Sequence, residues 1–135
     1  MSTADPLAAV HRYIAAFNNG DVAEMASAFD SAGTILDGMA PHVWQGATAA
    51  QDWYRDVMAE SAHLGASDYV VAVGAPVHNS VSDGSAYLVL PATMTFSLRG
   101  TQVTQDGAFF TVALRRGPQD WRITAWAWTK GTQRQ

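Results

Sequence analysis

The sequence contains no cysteine and only one lysine, and charged residues make up 15% of its 135 positions. Without cysteine, the chain can form neither a disulfide nor a thiolate nucleophile. The formal net charge is −4 and the arginines are scattered, so there is no basic stripe to attract nucleic acid. The longest apolar runs, such as residues 86–92, are too short to cross a bilayer. Residues 1–6 lack a basic segment followed by an apolar run, so we expect no signal peptide. We therefore expect a soluble, cytoplasmic protein with neither nucleic acid nor a membrane as partner.

Hydrophobic residues make up 48% of the chain, which excludes a disordered protein. A length of 135 residues suits one domain with a core of its own. No linker, repeat or low-complexity segment interrupts the sequence. We expect a single domain spanning residues 1–135.

The first half of the chain shows helical periodicity. Apolar residues at helical spacing predict a first helix over residues 6–18 and a third over 47–62. Between them, a second predicted helix begins after Asp21, includes Phe29 in its apolar face and ends over residues 30–33. Short strands are predicted over 34–37 and 42–44.

The second half reads as strands. Alternation and turn residues predict strands over 69–77, 86–98, 102–115 and 121–129, and Pro91 implies a bulge or an edge within its strand. Short turns between neighbours require antiparallel pairing. The predicted fold class is α+β: a strongly curved, mixed or antiparallel sheet, shaped as a cone, with three N-terminal helices closing an internal pocket.

Two residues could form half of a proton-transfer site. Tyr13 lies on the inner stripe of the first helix, and Asp37 ends the first short strand. Across an apolar pocket, the carboxylate could act as a general base and the phenol as a hydrogen-bond donor. Each also has a structural interpretation, because Asp37 with Gly38 is a common turn pair and a tyrosine on a helix often serves packing. His42 alternates with Trp44 and could assist Asp37, or could lie on the rim.

Aromatic residues are frequent, with five tryptophans in the chain. Core packing explains many of them, but aromatic walls also suit a flat or polycyclic apolar ligand. The side chains that we expect to line such a pocket are Phe17, Trp44, Trp53, Tyr54, Tyr87, Met94, Phe96, Phe110, Trp126 and Trp128.

Other kinds of chemistry have no motif in this sequence. It contains no H-E-x-x-H pair, no glycine-rich phosphate loop and no G-x-S-x-G elbow. The four histidines are scattered, so we expect no metal site and no cofactor. His78 reads as a surface or strand-end histidine.

Several segments together resemble a known family. Residues 10–21 (VHRYIAAFNNGD), 35–37 (ILD), 44–46 (WQG) and 117–128 are similar to the nuclear transport factor 2-like superfamily, in particular its ketosteroid isomerase-like and SnoaL-like, or polyketide-cyclase-like, members. The resemblance covers nearly the whole chain. It implies a cone-shaped α+β fold and dimerisation through the outer face of the sheet, on which Thr93, Thr95 and Ser97 would lie.

The resemblance also implies roles for individual residues. Tyr13 matches the tyrosine that donates a hydrogen bond to the substrate oxyanion in ketosteroid isomerases, and Asp37 matches their proton-shuttling base. The third element of that site, a protonated aspartic acid, corresponds to Phe109 or Phe110, so this chain has no acid there. Asp106 is the nearest acid, and we expect it near the mouth of the cone. Dehydratases of the superfamily combine tyrosine, aspartate and histidine.

These observations favour a cofactor-independent isomerase or cyclase acting on a small, mostly apolar carbonyl compound. Two alternatives stay open. One is a non-catalytic ligand-binding or dimeric scaffold protein, which the missing third acid favours. The other is a dehydratase-like lyase, which requires His42 or His78 inside the pocket.

Overall fold

The computed structural model describes residues 5–135 and contains three helices and a large, curved, unclosed mixed sheet, two strands of which precede the third helix. Residues 1–4, to which part of the signal-peptide prediction applies, lie outside the described residues. No described helix is long and apolar enough to span a membrane. The helices are α1 (Pro6–Asn18), α2 (Val22–Ser27) and α3 (Ala49–Leu64). The strands are β1 (Phe29–Leu36), β2 (Val43–Gln45), β3 (Ala66–Val73), β4 (His78–Ser82), β5 (Ser85–Leu98), β6 (Thr101–Arg116), β7 (Trp121–Thr129) and β8 (Thr132–Arg134). The predicted α+β fold class is confirmed.

The first two helices begin where the sequence provides side-chain caps. Asp5 accepts a hydrogen bond from the backbone N–H of Ala8 at 2.8 Å, and Pro6 occupies the first turn of α1. Asp21 does the same for α2 through the N–H of Glu24 at 3.1 Å. The apolar faces of α1 and α3 then pack over the sheet, where Val10, Tyr13 and Trp53 join one large core.

The sheet order is β2-β1-β7-β6-β5-β3, with β4 pairing with β5 and β8 with β6. The hairpin strands β5, β6 and β7 are antiparallel as predicted. Of the two predicted arrangements, the wholly antiparallel one is wrong, because β1 runs parallel to β7 and the sheet is mixed. A long stretch of chain separates these two strands, so the limit that a short turn sets on pairing does not apply to them.

The segment after α2 differs from the prediction. The predicted helix face included Phe29, but α2 ends at Ser27 and Phe29 already pairs with Ile123 of β7. Its ring lies 5.4 Å from that of Tyr13, so a tertiary contact holds Phe29 in the sheet although the local pattern is helical.

Pro91 lies opposite a break in the neighbouring strand. The predicted strand over 69–77 is in fact β3, which starts earlier and ends at Val73, and β4, which begins at His78. Pro91 has no N–H to donate, and the only neighbour on that side is Gly74, whose N–H donates to the Pro91 carbonyl at 2.8 Å. The bulge lies close by on β6, where Gly107 adopts a positive φ of 73°. Both features expected around Pro91 are therefore present.

Candidate active site

A cavity of about 210 Å³ lies between the helices and the concave face of the sheet, and we call it the central cavity. Helices α1 and α3, strands β3, β5, β6 and β7, and the turn after β1 all contribute to its wall. Its lining residues are Tyr13, Ile14, Phe17, Asp37, Met39, Trp53, Val57, Glu60, Ser61, Tyr69, Val71, Met94, Phe110, Trp126 and Trp128.

Tyr13 reaches the central cavity from the middle of α1 and is only 2% exposed. Its hydroxyl oxygen accepts a hydrogen bond from the indole N–H of Trp126 at 3.0 Å. Burial raises the pKa of Tyr13 well above its ordinary value, and the Trp126 bond offsets this only in part. The phenol is therefore protonated at neutral pH. No described side chain accepts its proton, which leaves the O–H free to donate to a ligand.

Asp37 follows the last residue of β1, and its carboxylate is held by two donors. The indole N–H of Trp53 donates to Oδ2 at 2.9 Å, and the backbone N–H of Gly38 donates to Oδ1 at 2.8 Å. The backbone of the turn adds support, because the Asp37 N–H donates to the carbonyl of His42 at 3.1 Å. These bonds fix the direction of the carboxylate and still leave lone pairs on both oxygens.

The two tryptophans that hold these groups also contact each other. Trp53 and Trp126 meet edge to face, with ring centroids 4.9 Å apart and an interplanar angle of 89°. Such a pair is a favourable aromatic geometry. Asp37 and Tyr13 are thus positioned by one connected unit, although they form no direct hydrogen bond with each other.

Eight of the residues predicted for the site line the central cavity. They include the proposed base and donor together with six apolar or aromatic side chains: Asp37, Tyr13, Phe17, Trp53, Met94, Phe110, Trp126 and Trp128. They come from distant parts of the chain, and the curvature of the sheet over α1 and α3 brings them together.

His42 does not reach the cavity. It precedes β2, so strand alternation with Trp44 does not apply, and it adopts a positive φ of 77°. Its ring is exposed, with Nδ1 lying 3.1 Å from the carbonyl oxygen of Asp37. His42 therefore belongs to the surface of the turn.

Four predicted lining residues also lie elsewhere. Trp44 is buried against α3, where its indole N–H donates to Asp56 at 2.8 Å. Tyr54 follows Trp53 on α3, and the rotation of about 100° per helical residue turns it into a separate surface groove. Tyr87 points to the convex side of β5 and is 46% exposed. Phe96 is on the concave side but belongs to a second core cluster at the far end of the sheet, where Tyr69 stacks on it.

The sequence interpretation missed seven lining residues: Ile14, Met39, Val57, Glu60, Ser61, Tyr69 and Val71. Part of this set carries a signal. Val57, Glu60 and Ser61 follow Trp53 at spacings of four, seven and eight, which is one helical face. Glu60 and Ser61 lie on this face but are polar, so the apolar pattern of α3 does not reveal them.

Of the two residues that the resemblance places at the third acid, Phe110 lines the cavity. Its buried ring lies 5.3 Å from that of Trp126, whereas Phe109 faces the convex side and is 37% exposed. Asp106 is not among the lining residues and pairs with Arg134 at 2.8 Å. Within residues 5–135, no cluster of three potential metal ligands is present.

The sequence matches a family model over most of its length. Residues 7–127 match the SnoaL-like domain. The chain belongs to the SnoaL-like family. No curated protein matches it.

Solved structures of several proteins resemble this SnoaL-like chain. A ketosteroid isomerase-like protein from Erwinia carotovora atroseptica has a TM-score of 0.71 and 17% identity, with 91% of each chain covered. The hexachlorocyclohexane dehydrochlorinase LinA-type3 from Novosphingobium barchaimii has a TM-score of 0.77 and 12% identity, with 94% of this chain and 87% of that chain covered. An NTF2-like protein of unknown function from Pseudomonas putida has a TM-score of 0.68 and 12% identity, with 90% and 80% covered. At such identities the likeness concerns the fold, and it agrees with the resemblance seen in the sequence.

Proposed function

We propose that this SnoaL-like protein is a cofactor-independent enzyme that transfers a proton within a small, mostly apolar carbonyl compound, as an isomerase or a cyclase does. One observation carries the proposal. The Tyr13 phenol, with its proton free, and the Asp37 carboxylate, with lone pairs free, line the same cavity. A donor and a base in one apolar enclosure are the two groups that enolate chemistry requires.

The reaction balances with these two side chains alone. Asp37 removes a proton from the carbon next to the carbonyl, and the C–H electron pair moves into the enolate. The carbonyl oxygen gains negative charge and accepts a hydrogen bond from Tyr13. Asp37 then returns the proton to a different carbon. Alternatively, the enolate attacks a second carbonyl group of the same molecule to close a ring, and Asp37 returns the proton to the alkoxide that forms. In both outcomes the carboxylate is regenerated.

The surroundings support both roles. Apart from Tyr13, Asp37, Glu60 and Ser61, the lining is aromatic or apolar, and a hydrogen bond to a developing oxyanion gains strength where water is excluded. The Trp126 N–H polarises the Tyr13 hydroxyl, because a hydroxyl that accepts a hydrogen bond becomes a better donor.

The direct test is the conversion of cyclohex-3-enone into its conjugated isomer, followed by ultraviolet absorbance. Asp37→Asn should lower kcat by about 10²- to 10⁴-fold, the usual contribution of a general base. Tyr13→Phe should lower it by about 10²- to 10³-fold, as the loss of an oxyanion donor does. Asp106→Asn and Tyr87→Phe, which change the same residue types outside the cavity, should leave the rate unchanged. Equal rates for all four variants would contradict the proposal.

The second candidate is a ligand-binding protein without catalysis. It is favoured by Phe110, which lines the cavity with an apolar ring at one of the two positions that the resemblance gives for the missing acid. Cyclohexanone separates the two candidates, because an enzyme exchanges its α-hydrogens for deuterium in D₂O and a binder only retains the ketone. A dehydratase-like lyase has less support, because His42 is exposed in its turn and His78 is exposed beside Tyr87.

We further propose a homodimer that forms through the convex side of the sheet, in the cytoplasm. The convex side of β5 and β6 carries Tyr87, Thr93, Thr95, Phe109 and Thr111, and none of these side chains is charged. The centre of this surface suits contact between two sheets, because the charged Arg115 lies near the end of β6 and no charge would lose its hydration in the centre.

A further inference from the structure

We infer that the central cavity accepts an uncharged ketone with a single ring and rejects carboxylates, phosphates and fused-ring compounds. The inference rests on the proposed function for the roles of Tyr13 and Asp37, and it adds the ligand class. Three independent properties of the cavity carry it: its charge, its free hydrogen-bonding groups and its volume.

The charge of the lining is negative. Asp37 and Glu60 are its ionisable carboxylates, and none of its fifteen side chains is a lysine, arginine or histidine. An anionic ligand would lose its hydration without gaining a cation. It would lie beside the like charge of Asp37, and the solvent-exposed Glu60 would add a weaker, screened repulsion. Cavities that hold carboxylates or phosphates carry arginine or lysine for this purpose.

The lining side chains of the described residues have one hydrogen-bond donor to spare. The three indole N–H groups of the cavity already have acceptors. Trp53 donates to Asp37, Trp126 donates to Tyr13, and Trp128 donates to Gln105.

The two remaining hydroxyls of the cavity satisfy each other. Ser61 donates its one hydroxyl proton to the Val57 carbonyl at 2.6 Å. Its Oγ, 3.0 Å from the Tyr69 hydroxyl, is therefore left to accept the Tyr69 proton. Only the Tyr13 proton is left for a ligand, which matches one carbonyl oxygen.

The volume limits the ligand to one ring. An apolar cavity of about 150 Å³ holds a benzene molecule. The central cavity measures about 210 Å³, which leaves room for one six-membered ring with a small substituent. A fused-ring ligand exceeds this volume and would bind only with its second ring outside the cavity.

The proposed reaction explains why the ligand must begin neutral. When Asp37 takes the proton, its charge disappears and the enolate carries it instead, so the total charge of ligand and base stays at one negative unit. A substrate that is already anionic would raise this total to two, in an enclosure that also has Glu60 in its wall.

Indole N–H signals in a two-dimensional ¹H–¹⁵N NMR spectrum test this inference without any need for turnover. Trp53, Trp126 and Trp128 line the cavity, whereas Trp44 and Trp121 do not and serve as internal controls. Cyclohexanone should shift the three cavity signals and leave the two controls in place. Compared with cyclohexanone, cyclohexanecarboxylate should bind at least about tenfold more weakly because of its charge. The fused-ring ketone decalone should also bind at least about tenfold more weakly than cyclohexanone, because of its size.

Substitution of the carboxylates separates charge from shape. Glu60→Gln, on the cavity wall, should strengthen cyclohexanecarboxylate binding several-fold and change cyclohexanone binding less. Asp37→Asn should strengthen carboxylate binding further while it abolishes turnover. Carboxylate or decalone binding as tight as that of cyclohexanone in the unmodified protein would overturn the inference. If cyclohexanone binds as expected but exchanges no α-hydrogen in D₂O, the ligand class stands and the proposed catalysis fails.

Discussion

At the scale of single residues, Tyr13 is the most constrained group of the site. Its ring packs against Phe29 and Trp126, and its oxygen accepts the Trp126 N–H. Ionisation would place a phenolate in the apolar core with one hydrogen bond to compensate for the lost hydration, and this is why burial raises its pKa. The constraint that suits Tyr13 to donate a hydrogen bond also makes its ionisation incompatible with folding.

This conflict predicts a pH dependence of stability. In the unfolded chain Tyr13 ionises near pH 10, whereas in the folded protein it keeps its proton to higher pH. Below pH 10 both states hold the proton and Tyr13 contributes no slope. Above it, the unfolded state binds fewer protons, so the free energy of unfolding falls by about 1.4 kcal/mol per pH unit. Urea unfolding between pH 8 and pH 11 measures this slope. Tyr13→Phe should remove it, whereas Tyr87→Phe, which changes an exposed ring, should retain it.

The sequence could place Tyr13 and Asp37 but not their partners. Helical spacing puts Tyr13 on the inner stripe of α1, and the resemblance to a family pairs it with Asp37. The bonds from Trp126 and Trp53 depend on side-chain rotamers and on the curvature of the sheet, neither of which leaves a periodic signal. Phe96 was misplaced for a related reason, since alternation gives the face of a strand but not the position along it where a cavity ends. For Tyr87 the prediction was wrong about the face, because alternation along β5 puts it opposite Met94 and Phe96.

At the scale of secondary structure elements, a single side chain joins α1 to the exposed edge of the sheet. Asn18 donates from Nδ2 to the carbonyl of Val71 at 2.9 Å, and its Oδ1 accepts from the N–H of Val71 at 2.8 Å. β3 pairs with only one strand, β5, so these bonds satisfy backbone groups that would otherwise face open space. The amide of Asn18 thus acts as a short substitute for a neighbouring strand.

Asn18→Ala should therefore lower the free energy of unfolding by about 2–3 kcal/mol, because it leaves a part-buried donor and acceptor unpaired. Chemical denaturation measures the change. Asn19→Ala is the matched control, since Asn19 is exposed and its side chain makes no such bonds, and its effect should stay within about 0.5 kcal/mol. A loss no larger for Asn18 than for Asn19 would contradict this role.

Element boundaries show where local pattern prevails over tertiary context and where it does not. The bounds predicted for α1 and β7 agree with the structure, because caps and turn residues mark them. β8 was missed, since its three residues form a strand only by antiparallel pairing with β6, which the local sequence does not reveal. The start of β1 was misassigned because Phe29 fits a helical stripe and a strand equally well.

At the scale of the whole molecule, the convex side of the sheet decides the oligomeric state that we propose. If two copies meet there, a charge in the middle of that surface should separate them. Thr95→Arg should convert a species of about twice 14.4 kDa into one of 14.4 kDa in size-exclusion chromatography with light scattering. Leu64→Arg, which adds the same charge at the exposed end of α3, should leave the dimer intact. An unmodified protein that elutes at 14.4 kDa would exclude the dimer.

The parallel pairing of β1 with β7 has a consequence for synthesis on the ribosome. Tyr13 and Trp126 are 113 positions apart, and α1 packs on β7, a strand made long after that helix. A nascent chain that has emerged only as far as β6 carries Tyr13 and Asp37 but lacks the Trp126 indole that contacts Tyr13. During that interval the part of α1 that packs on β7 stays uncovered, and such transiently exposed apolar surface makes a late intermediate prone to aggregation.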